Sequence, residues 1–485
     1  MKKIYLAALA ILWIGAAFYA CKKANESNGS FNGPGGRSSG PNALLACTYE
    51  TLSGNITANR TLSNTIIYKL DGCVTVKSGV TLTIPAGTVL QGMKAPTAGG
   101  KSFLIVERGG KLNAIGTVSN PVIFTSDQAP GSRQPGDWGG LRVFGQANNN
   151  NSNSLNVDLG CATYAGGGTN NTDNSGSIQY VQLHYAGAVA NTNDISRAAL
   201  LLNSVGTGTT VDHIQVTNPL NDGLAVFGGK VKLTNILSYN AQRMDYQLSY
   251  GYQGNMQFIG AMRLDAAAAP PTAAYGLNIT NQLTGVSTNT PLTMPVISNL
   301  TVMGPKYCGS TTVNANFQYA VRFFNNGAAK IYNSVISSWN GRGIILEGPT
   351  SVAQTSSNNL EFSYNSLHNA TTTPYAFTSP LSWSASGGCG TSIANWITGP
   401  TPSCSETGNE FSVATLGYDG SFCSNYCAAG FSQNFILGTT SLSAPNYSWD
   451  TSSAFSQVNY RGAFGSTDFS QGWTGWCPQN TVYCQ

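Results

Sequence analysis

The sequence predicts an all-β fold in which short strands stack as the coils of a solenoid. No segment between residues 47 and 485 shows sustained helical periodicity, whereas short apolar and β-branched runs recur between Gly, Asn, Asp or Pro. In 74–90 and 104–116, a glycine corner joins one run to the next. A sandwich or barrel is the alternative for many short strands, but it needs hairpins where a solenoid needs corners.

The predicted strands follow one another at intervals that suit stacked coils. Runs that begin at Ile178, Val211 and Val231 lie 33 and 20 residues apart, which fits coils of about 20 residues with insertions. Because a single coil cannot bury its apolar side, stacking has to create the core. The runs are residues 74–76, 80–84, 103–106, 122–125, 178–183, 211–216, 230–237, 297–302, 319–324, 330–336 and 343–346.

The first residues have the layout of an export signal. Two lysines precede an apolar run over 5–17, and Ala20 stands directly before Cys21. This run is too short for a committed membrane-spanning helix, which needs about 20 apolar residues. We therefore predict a signal peptide at 1–20 that is cleaved before the cysteine.

Cys21 is the predicted membrane anchor. Residues 18–21, Phe-Tyr-Ala-Cys, match the bacterial lipobox except that Phe18 replaces the usual aliphatic residue. We expect the Cys21 thiol to carry a diacylglycerol, and an ordinary signal peptide with a chance cysteine is the alternative. The expected partner is thus a membrane, and the expected location is the cell envelope, as an outer-membrane lipoprotein on either the periplasmic or the outer face.

The segment after the anchor is a predicted tether. Residues 21–46 are dominated by Gly, Ser, Asn and Pro and cannot bury a core. As a flexible chain they would hold the folded body, 47–485, about 25–30 Å from the bilayer. Within that body, the part from about 380 to 485 is rich in loops and cysteine.

The low charge of the chain excludes one class of partner. Asp, Glu, Lys and Arg make up 9% of the residues, against about 25% in ordinary soluble domains. The formal net charge is only +4, and part of it lies in the leader and tether. A nucleic-acid partner is therefore not expected, because no basic stripe is present to neutralise phosphates.

Besides Cys21, the chain contains ten cysteines, and an even number in an exported protein predicts disulfides. Zinc is the alternative, but the chain has three histidines and no Cys-x-x-Cys pair, so we expect neither a metal site nor a cofactor. Short sequence separations favour the pairs Cys423–Cys427 and Cys477–Cys484, and then Cys47–Cys73. The ten residues are Cys47, Cys73, Cys161, Cys308, Cys389, Cys404, Cys423, Cys427, Cys477 and Cys484.

A series of short motifs resembles a Bacteroidetes family of exported right-handed parallel β-helix proteins. The resemblance implies a right-handed parallel β-helix with loop insertions and a disulfide-bearing C-terminal region. The relatives are lipoproteins or cell-surface proteins, mostly without an assigned activity. Some end in a type IX secretion sorting domain, and here we expect Cys21 to serve as the anchor instead. The motifs are residues 74–84, 108–112, 136–141, 174–181, 185–187, 227–229, 251–254 and 460–465.

The strongest polar candidates lie in the middle of the predicted body. They are Asp222, Arg243 and Asp245, with Tyr246 and Tyr252 beside them. The family that the chain resembles tends to have an acidic run at 243–250, of which only Asp245 is present here. The alternative is structural, with Asp222 in a turn and Asp245 in a salt bridge.

Other residues that could bind or react have structural interpretations. Trp138, between glycines, could be an exposed sugar platform, but a buried turn residue is the favoured interpretation. His184 and His213 sit in alternating strand patterns, which favours a hydrogen bond to a neighbouring carbonyl over catalysis.

Two functions therefore remain. A structural, adhesive or glycan-binding lipoprotein, or one that binds a surface protein, predicts a long charge-poor face with Asn, Thr and aromatics such as Tyr246, Tyr250 and Tyr252. A carbohydrate-active enzyme, either a polysaccharide lyase or a glycoside hydrolase, predicts a groove that holds Asp222, Arg243 and Asp245. We favour binding without catalysis, because no Asp-Asp pair or Gly-His-Gly motif of the β-helix glycosidases is present.

Overall fold

The computed structural model describes the β-helical body. The predicted signal peptide, Cys21 and the tether lie outside the described residues, as do Cys389 and Cys404. The described residues are 47–263, 272–284, 288–308, 313–339, 342–368, 375–377, 393–399, 406–412, 416, 423, 427, 434–436, 442–466 and 468–484.

Short strands dominate this part of the chain, and their bounds in chain order are these. They are β1 (Tyr49–Ile56), β2 (Arg60–Thr61), β3 (Ile67–Val76), β4 (Thr81–Ile84), β5 (Val89–Gly92), β6 (Phe103–Val106), β7 (Lys111–Ile115), β8 (Val122–Ser126), β9 (Gly140–Phe144), β10 (Leu155–Asp158), β11 (Thr163–Gly166), β12 (Gly176–His184), β13 (Ala198–Asn203), β14 (Thr210–Thr217), β15 (Asp222–Phe227), β16 (Lys232–Tyr239), β17 (Met244–Ser249), β18 (Asn255–Met262), β19 (Ala274–Thr280) and β20 (Val296–Met303).

The later coils are shorter and contain the helices. They comprise β21 (Phe317–Phe324), β22 (Lys330–Tyr332), β23 (Val335–Ser337), β24 (Arg342–Glu347), α1 (Pro349–Ser356), β25 (Glu361–Ser363), β26 (Ser366–His368), β27 (Tyr375–Phe377), α2 (Ile393–Thr398) and β28 (Glu410–Ser412). Neither α1 nor α2, the helices of the described residues, could cross a membrane.

The strands form a parallel β-helix with three ladders. All strands except β10 and β11 belong to one 26-stranded sheet, and every pairing within it is parallel. Ladder A contains β5, β8, the second halves of β12, β14, β16, β18 and β20, and then β23, β26 and β28. Ladder B contains β6, β9, β13, β15, β17, β19, β21, β24 and β27. Ladder C contains β4, β7, the first halves of β12 to β20, and β22 and β25.

Columns of apolar side chains fill the interior between the ladders. Because side chains alternate across a strand, every second residue points inward. Along ladder B, one inward residue from each coil stacks on the next, and all of them are fully buried. Each buried aliphatic or aromatic side chain contributes about 1.5–3 kcal/mol. This column contains Val74, Leu104, Leu141, Leu200, Leu224, Tyr246, Leu277, Val321 and Ile344.

The corner between ladders C and A has a left-handed residue in seven coils. Their φ angles lie between 49° and 61°, a region that Asn tolerates better than most residues. At each corner the chain turns without an insertion, so a single long strand serves both ladders. These residues are Tyr180, His213, Asn235, Phe258, Asn299, Asn333 and Tyr364.

A C-terminal strap, residues 442–484, runs back along ladder A without strands. Side-chain amides of the coils bind its backbone with paired hydrogen bonds. Gln257 donates to the carbonyl of Ser456 at 2.7 Å and accepts from its N–H at 2.9 Å. Gln215 likewise binds both backbone groups of Gly475, at 3.1 and 2.7 Å. The strap thus runs from late coils toward early ones.

The hairpin of β10 and β11 folds over the outer side of ladder B. The two strands are antiparallel and follow an insertion after β9. Leu155, Val157 and Leu159 pack onto outward apolar side chains that include Phe144 and Phe227. The disulfide between Cys73 and Cys161 attaches this hairpin to the second coil.

The disulfides link segments that are far apart in sequence. The pairs are Cys47–Cys484, Cys73–Cys161, Cys308–Cys423 and Cys427–Cys477, with separations of 437, 88, 115 and 50 residues. The expectation of disulfides is therefore confirmed for eight cysteines. The short-range pairs Cys423–Cys427, Cys477–Cys484 and Cys47–Cys73 are wrong, because coil stacking and the returning strap bring distant residues together.

We predict that the Cys47–Cys484 bond stabilises the protein substantially. The double substitution Cys47→Ser with Cys484→Ser should lower the free energy of unfolding by about 2–5 kcal/mol, because the unfolded chain loses a very long closed loop. Denaturant unfolding, with the Cys427→Ser, Cys477→Ser protein for comparison, measures it. If the double variant unfolds like the native protein, the strap does not restrain the body.

Candidate functional site

The predicted polar residues do come together, at the start of two neighbouring strands of ladder B. Asp222 begins β15 and forms an ion pair with Arg243, which precedes β17 by one residue. The other oxygen of Asp222 accepts from the backbone N–H of Met244 at 3.2 Å. Asp245 lies in β17 and accepts from the hydroxyl of Ser238 at 2.8 Å.

A further arginine, which the sequence analysis missed, completes this cluster. The Nε atom of Arg263 lies 2.8 Å from an Asp245 carboxylate oxygen, and both side chains are almost entirely buried. The two ion pairs join residues 21 and 18 positions apart, which is about one coil. That spacing was the available signal, because residues one coil apart stack directly on each other.

Burial dominates the electrostatics of the cluster. It raises the pKa of Asp222 against the opposing effect of Arg243, and it raises the pKa of Asp245 to about 6 despite Arg263. Burial also lowers the pKa of the nearby Arg142 guanidinium to about 10, while Asp194 and Asp222 oppose this shift. These charges therefore stabilise one another in the interior, where each alone would be costly.

The cluster does not open into a groove. Asp222 and Asp245 are fully buried, and only the Arg243 side chain is partly exposed, at 18%. The contacts match the structural interpretation, with Asp222 binding a turn and Asp245 in a salt bridge. A polymer in solution would not reach either carboxylate in this arrangement.

The expected aromatic face at Tyr246, Tyr250 and Tyr252 is wrong, because all three side chains are buried. Tyr246 pairs with the inward Leu224 of the preceding coil, and its hydroxyl lies 2.7 Å from the carbonyl of Gly260. The Tyr252 hydroxyl donates to the carbonyl of Val231 at 2.9 Å. These tyrosines are core residues whose hydroxyl groups bind the backbone.

Trp138 and the histidines also have structural contacts. Trp138 is fully buried and donates to the carbonyl of His184 at 2.8 Å, which confirms the turn interpretation. The His184 Nδ1 atom lies 3.3 Å from the Tyr483 hydroxyl of the strap. Burial, with a smaller effect of Arg133, lowers the pKa of His184 to about 3, so this imidazole is neutral.

The outer faces of the ladders differ in what covers them. We call them faces A, B and C after their ladders. The strap lies on face A, where Gln215 and the neighbouring outward side chains are buried. The hairpin and adjoining loops bury the outward residues of face B from Ile105 to Gln247. Among the described residues, face C carries the longest uninterrupted row of outward side chains that are at least half-exposed.

Face C consists of two rows along the helix axis. In the first row, each coil contributes one residue, in register with the next, and all are half-exposed or exposed. The row contains Thr83, Asn113, Ser177, Thr210, Lys232, Asn255, Val296, Lys330 and Glu361. The exposed part of the second row contains Ile115, Gln179, Asp212 and Thr234. With coils about 4.8 Å apart, the first row is roughly 38 Å long.

The polar groups of face C are largely available to a ligand. Within the described part of the chain, the side chains of Thr83, Asn113, Thr210 and Asn255 make no hydrogen bond to the protein. Face C therefore presents free hydroxyl and amide groups on a flat strand surface. Its chemistry suits a partner that offers many hydroxyl groups, as sugars do.

The same face has few unpaired charges. Lys330 is paired with Glu361, and the ammonium group of Lys232 donates to the carbonyl of Ala454 at 2.9 Å. Asp212 accepts from the side chain of Asn235 at 2.9 Å. No group of three or more potential metal ligands occurs in the described parts of the chain.

These observations define a class of protein: a parallel β-helix whose outer faces are partly covered by a hairpin and a disulfide-bonded strap. A family model for a pectate-lyase-like β-helix domain matches residues 54–401, more than two thirds of the chain. The chain therefore belongs to the family of pectate-lyase-like β-helix domains. Searches of curated proteins and of solved structures gave no match. The predicted parallel β-helix is confirmed, whereas membership of a Bacteroidetes lipoprotein family stays a prediction.

We predict that the buried carboxylate of Asp245 is required for stability. Asp245→Ala should lower the free energy of unfolding by about 3–5 kcal/mol, because Arg263 is left charged and unpaired in the interior. The matched substitution Glu50→Ala removes the partner of the exposed Arg60 and should cost about 1 kcal/mol or less. Equal losses in the two variants, measured by denaturant unfolding, would contradict the interpretation.

The neutral His184 should make the protein sensitive to acid. The unfolded chain binds a proton near pH 6.5, whereas the folded imidazole resists it until about pH 3, so stability falls as the pH is lowered through this window. The slope from this residue is at most about 1.4 kcal/mol per pH unit. His184→Gln should therefore lose less stability than the native protein between pH 7 and pH 4.5. The raised pKa of Asp245 acts in the opposite direction but is common to both proteins. Parallel pH profiles would refute this assignment.

Proposed function

We propose that the protein is an exported, lipid-anchored β-helix that binds a glycan through face C and does not catalyse a reaction there. The observation that carries the proposal is the row from Thr83 to Glu361, which stays open over nine coils while the strap and hairpin cover much of the other faces. Free hydroxyl and amide groups on this row can exchange their water for sugar hydroxyls.

The weak affinity of each contact is compatible with this function. A hydrogen bond that replaces one to water has a net value of only about 0.5–1.5 kcal/mol. Many such contacts along one row, and many copies of the protein on one membrane, raise the total affinity through multivalency. The proposed anchor at Cys21 would supply those copies, on the cell envelope. The first described residue, Cys47, belongs to the first coil, so the tether would attach at that end of the helix.

A carbohydrate-active enzyme is the second candidate, favoured by the family model, whose description refers to pectate lyase. The carboxylates of Asp222 and Asp245 argue against it at this cluster, because both are buried in arginine pairs. A reducing-end assay on acidic and neutral polysaccharides distinguishes the candidates. Cleavage by the native protein would replace binding with catalysis as the function.

Charged substitutions on face C should abolish glycan binding. Thr210→Glu with Asn255→Glu places two carboxylates on the open row, where they disfavour a close sugar ring, and binding on a glycan array should fall at least tenfold. The control is Thr51→Glu with Ser53→Glu, two exposed positions of β1 outside face C. The proposal fails if both double variants bind as the native protein does, or if the native protein binds no glycan.

Lipidation has its own test. Cys21→Ser should release the protein from membranes, because the substituted residue has no thiol to carry the diacylglycerol. Membrane fractionation together with intact-mass analysis of the two proteins measures this. Unchanged partitioning of the variant and an unchanged mass increment would show that Cys21 is not the anchor.

A further inference from the structure

We infer that face C takes an extended, neutral, β-1,4-linked polysaccharide that lies along the helix axis, with about one sugar for each coil. This inference rests on the proposed function, since it names the class of glycan that the same face binds. Three properties of the face carry it: the repeat of its contacts, its charge and its flatness.

The repeat follows from the register of ladder C. Ser177 pairs with Thr210, and Thr210 pairs with Lys232, so equivalent outward positions recur at every coil. Parallel strands are about 4.8 Å apart. An extended β-1,4-linked chain of pyranose rings advances by nearly the same distance for each ring, so successive sugars can meet successive coils in the same way. A chain that coils upon itself, such as a β-1,3-glucan, loses this correspondence after a few rings.

The charge of the face selects a neutral chain. A polyuronate carries one carboxylate on each sugar and needs matching cations along its path. On face C, Lys330 is neutralised by Glu361, and Lys232 binds a strap carbonyl. Between them in the row stand Asn255 and Val296, which carry no charge. Lys111 is the exposed cation beside the row, and one cation cannot match a polyanion.

The flatness of the face sets how affinity depends on chain length. The outward groups belong to strands with no insertion within the row between Ser177 and Asn255, which extends over four successive coils. Each added sugar therefore gains one further set of similar contacts until the row ends. Affinity should rise with the number of sugars and then level off, instead of being set by one deep subsite.

The test is a titration of the soluble protein with oligosaccharides of defined length by calorimetry. The ligands are β-1,4-linked gluco-oligosaccharides of two to eight sugars, β-1,3-linked oligomers of the same lengths, and polygalacturonate. We expect the dissociation constant of the β-1,4 series to fall severalfold for every two sugars and then reach a plateau, with much weaker binding of the other two ligands. Thr210→Val, which removes one hydroxyl at nearly constant volume, should weaken the long β-1,4 oligomers more than the disaccharide.

The matched control is Thr51→Val, which removes a hydroxyl from an exposed strand position outside face C and should change nothing. Binding that does not depend on length, or tighter binding of polygalacturonate that Thr210→Glu with Asn255→Glu still weakens, would overturn this inference and leave the proposed function intact. If no glycan binds, or if the face C variants do not alter binding, the proposed function fails and this inference fails with it.

Discussion

The stacking of one coil on the next at the spacing of a parallel strand pair is the constraint on which the rest of the structure depends. It places Leu224 under Tyr246 and Tyr246 under Leu277, so that the interior is a set of columns. The same register places Asp222 near Arg243 and Asp245 near Arg263. A shift of a strand by one residue would turn each inward side chain outward and break the apolar columns and ion pairs together.

The coils also explain how so little charge suffices. Ordinary soluble domains use charged side chains to keep their surface hydrated, whereas this chain uses Asn, Ser and Thr, which bind water without the desolvation cost of an ion. Side-chain amides have a second use here, because Gln215 and Gln257 bind peptide groups of the strap with the pattern of one backbone strand binding another. An amide on an outward strand position thus replaces a strand that the strap does not form.

Much of the fold could be predicted from the sequence, because glycine corners and short apolar runs repeat along most of the chain. The inward position of Tyr246 could have been predicted too, since it lies 22 residues after Leu224, about one coil. The disulfide pairs could not, because they depend on where the strap returns, and a segment without alternation gives no register. Face C was missed for a different reason: the polar alternation of Thr210 and Asp212 is present in the sequence, but its exposure depends on where the hairpin and strap lie.

The bond between Cys47 and Cys484 has a mechanical consequence. Solenoids under tension unravel from a terminal coil, because each coil is held only by its neighbour. Here a force that enters through residue 47 divides between the first strand and the strap. The strap in turn carries its share to Asn333, in a late coil, through the hydrogen bonds of Asn446. The load is therefore spread along the axis, and the protein resists pulling as a closed loop and not as a coil with a free end.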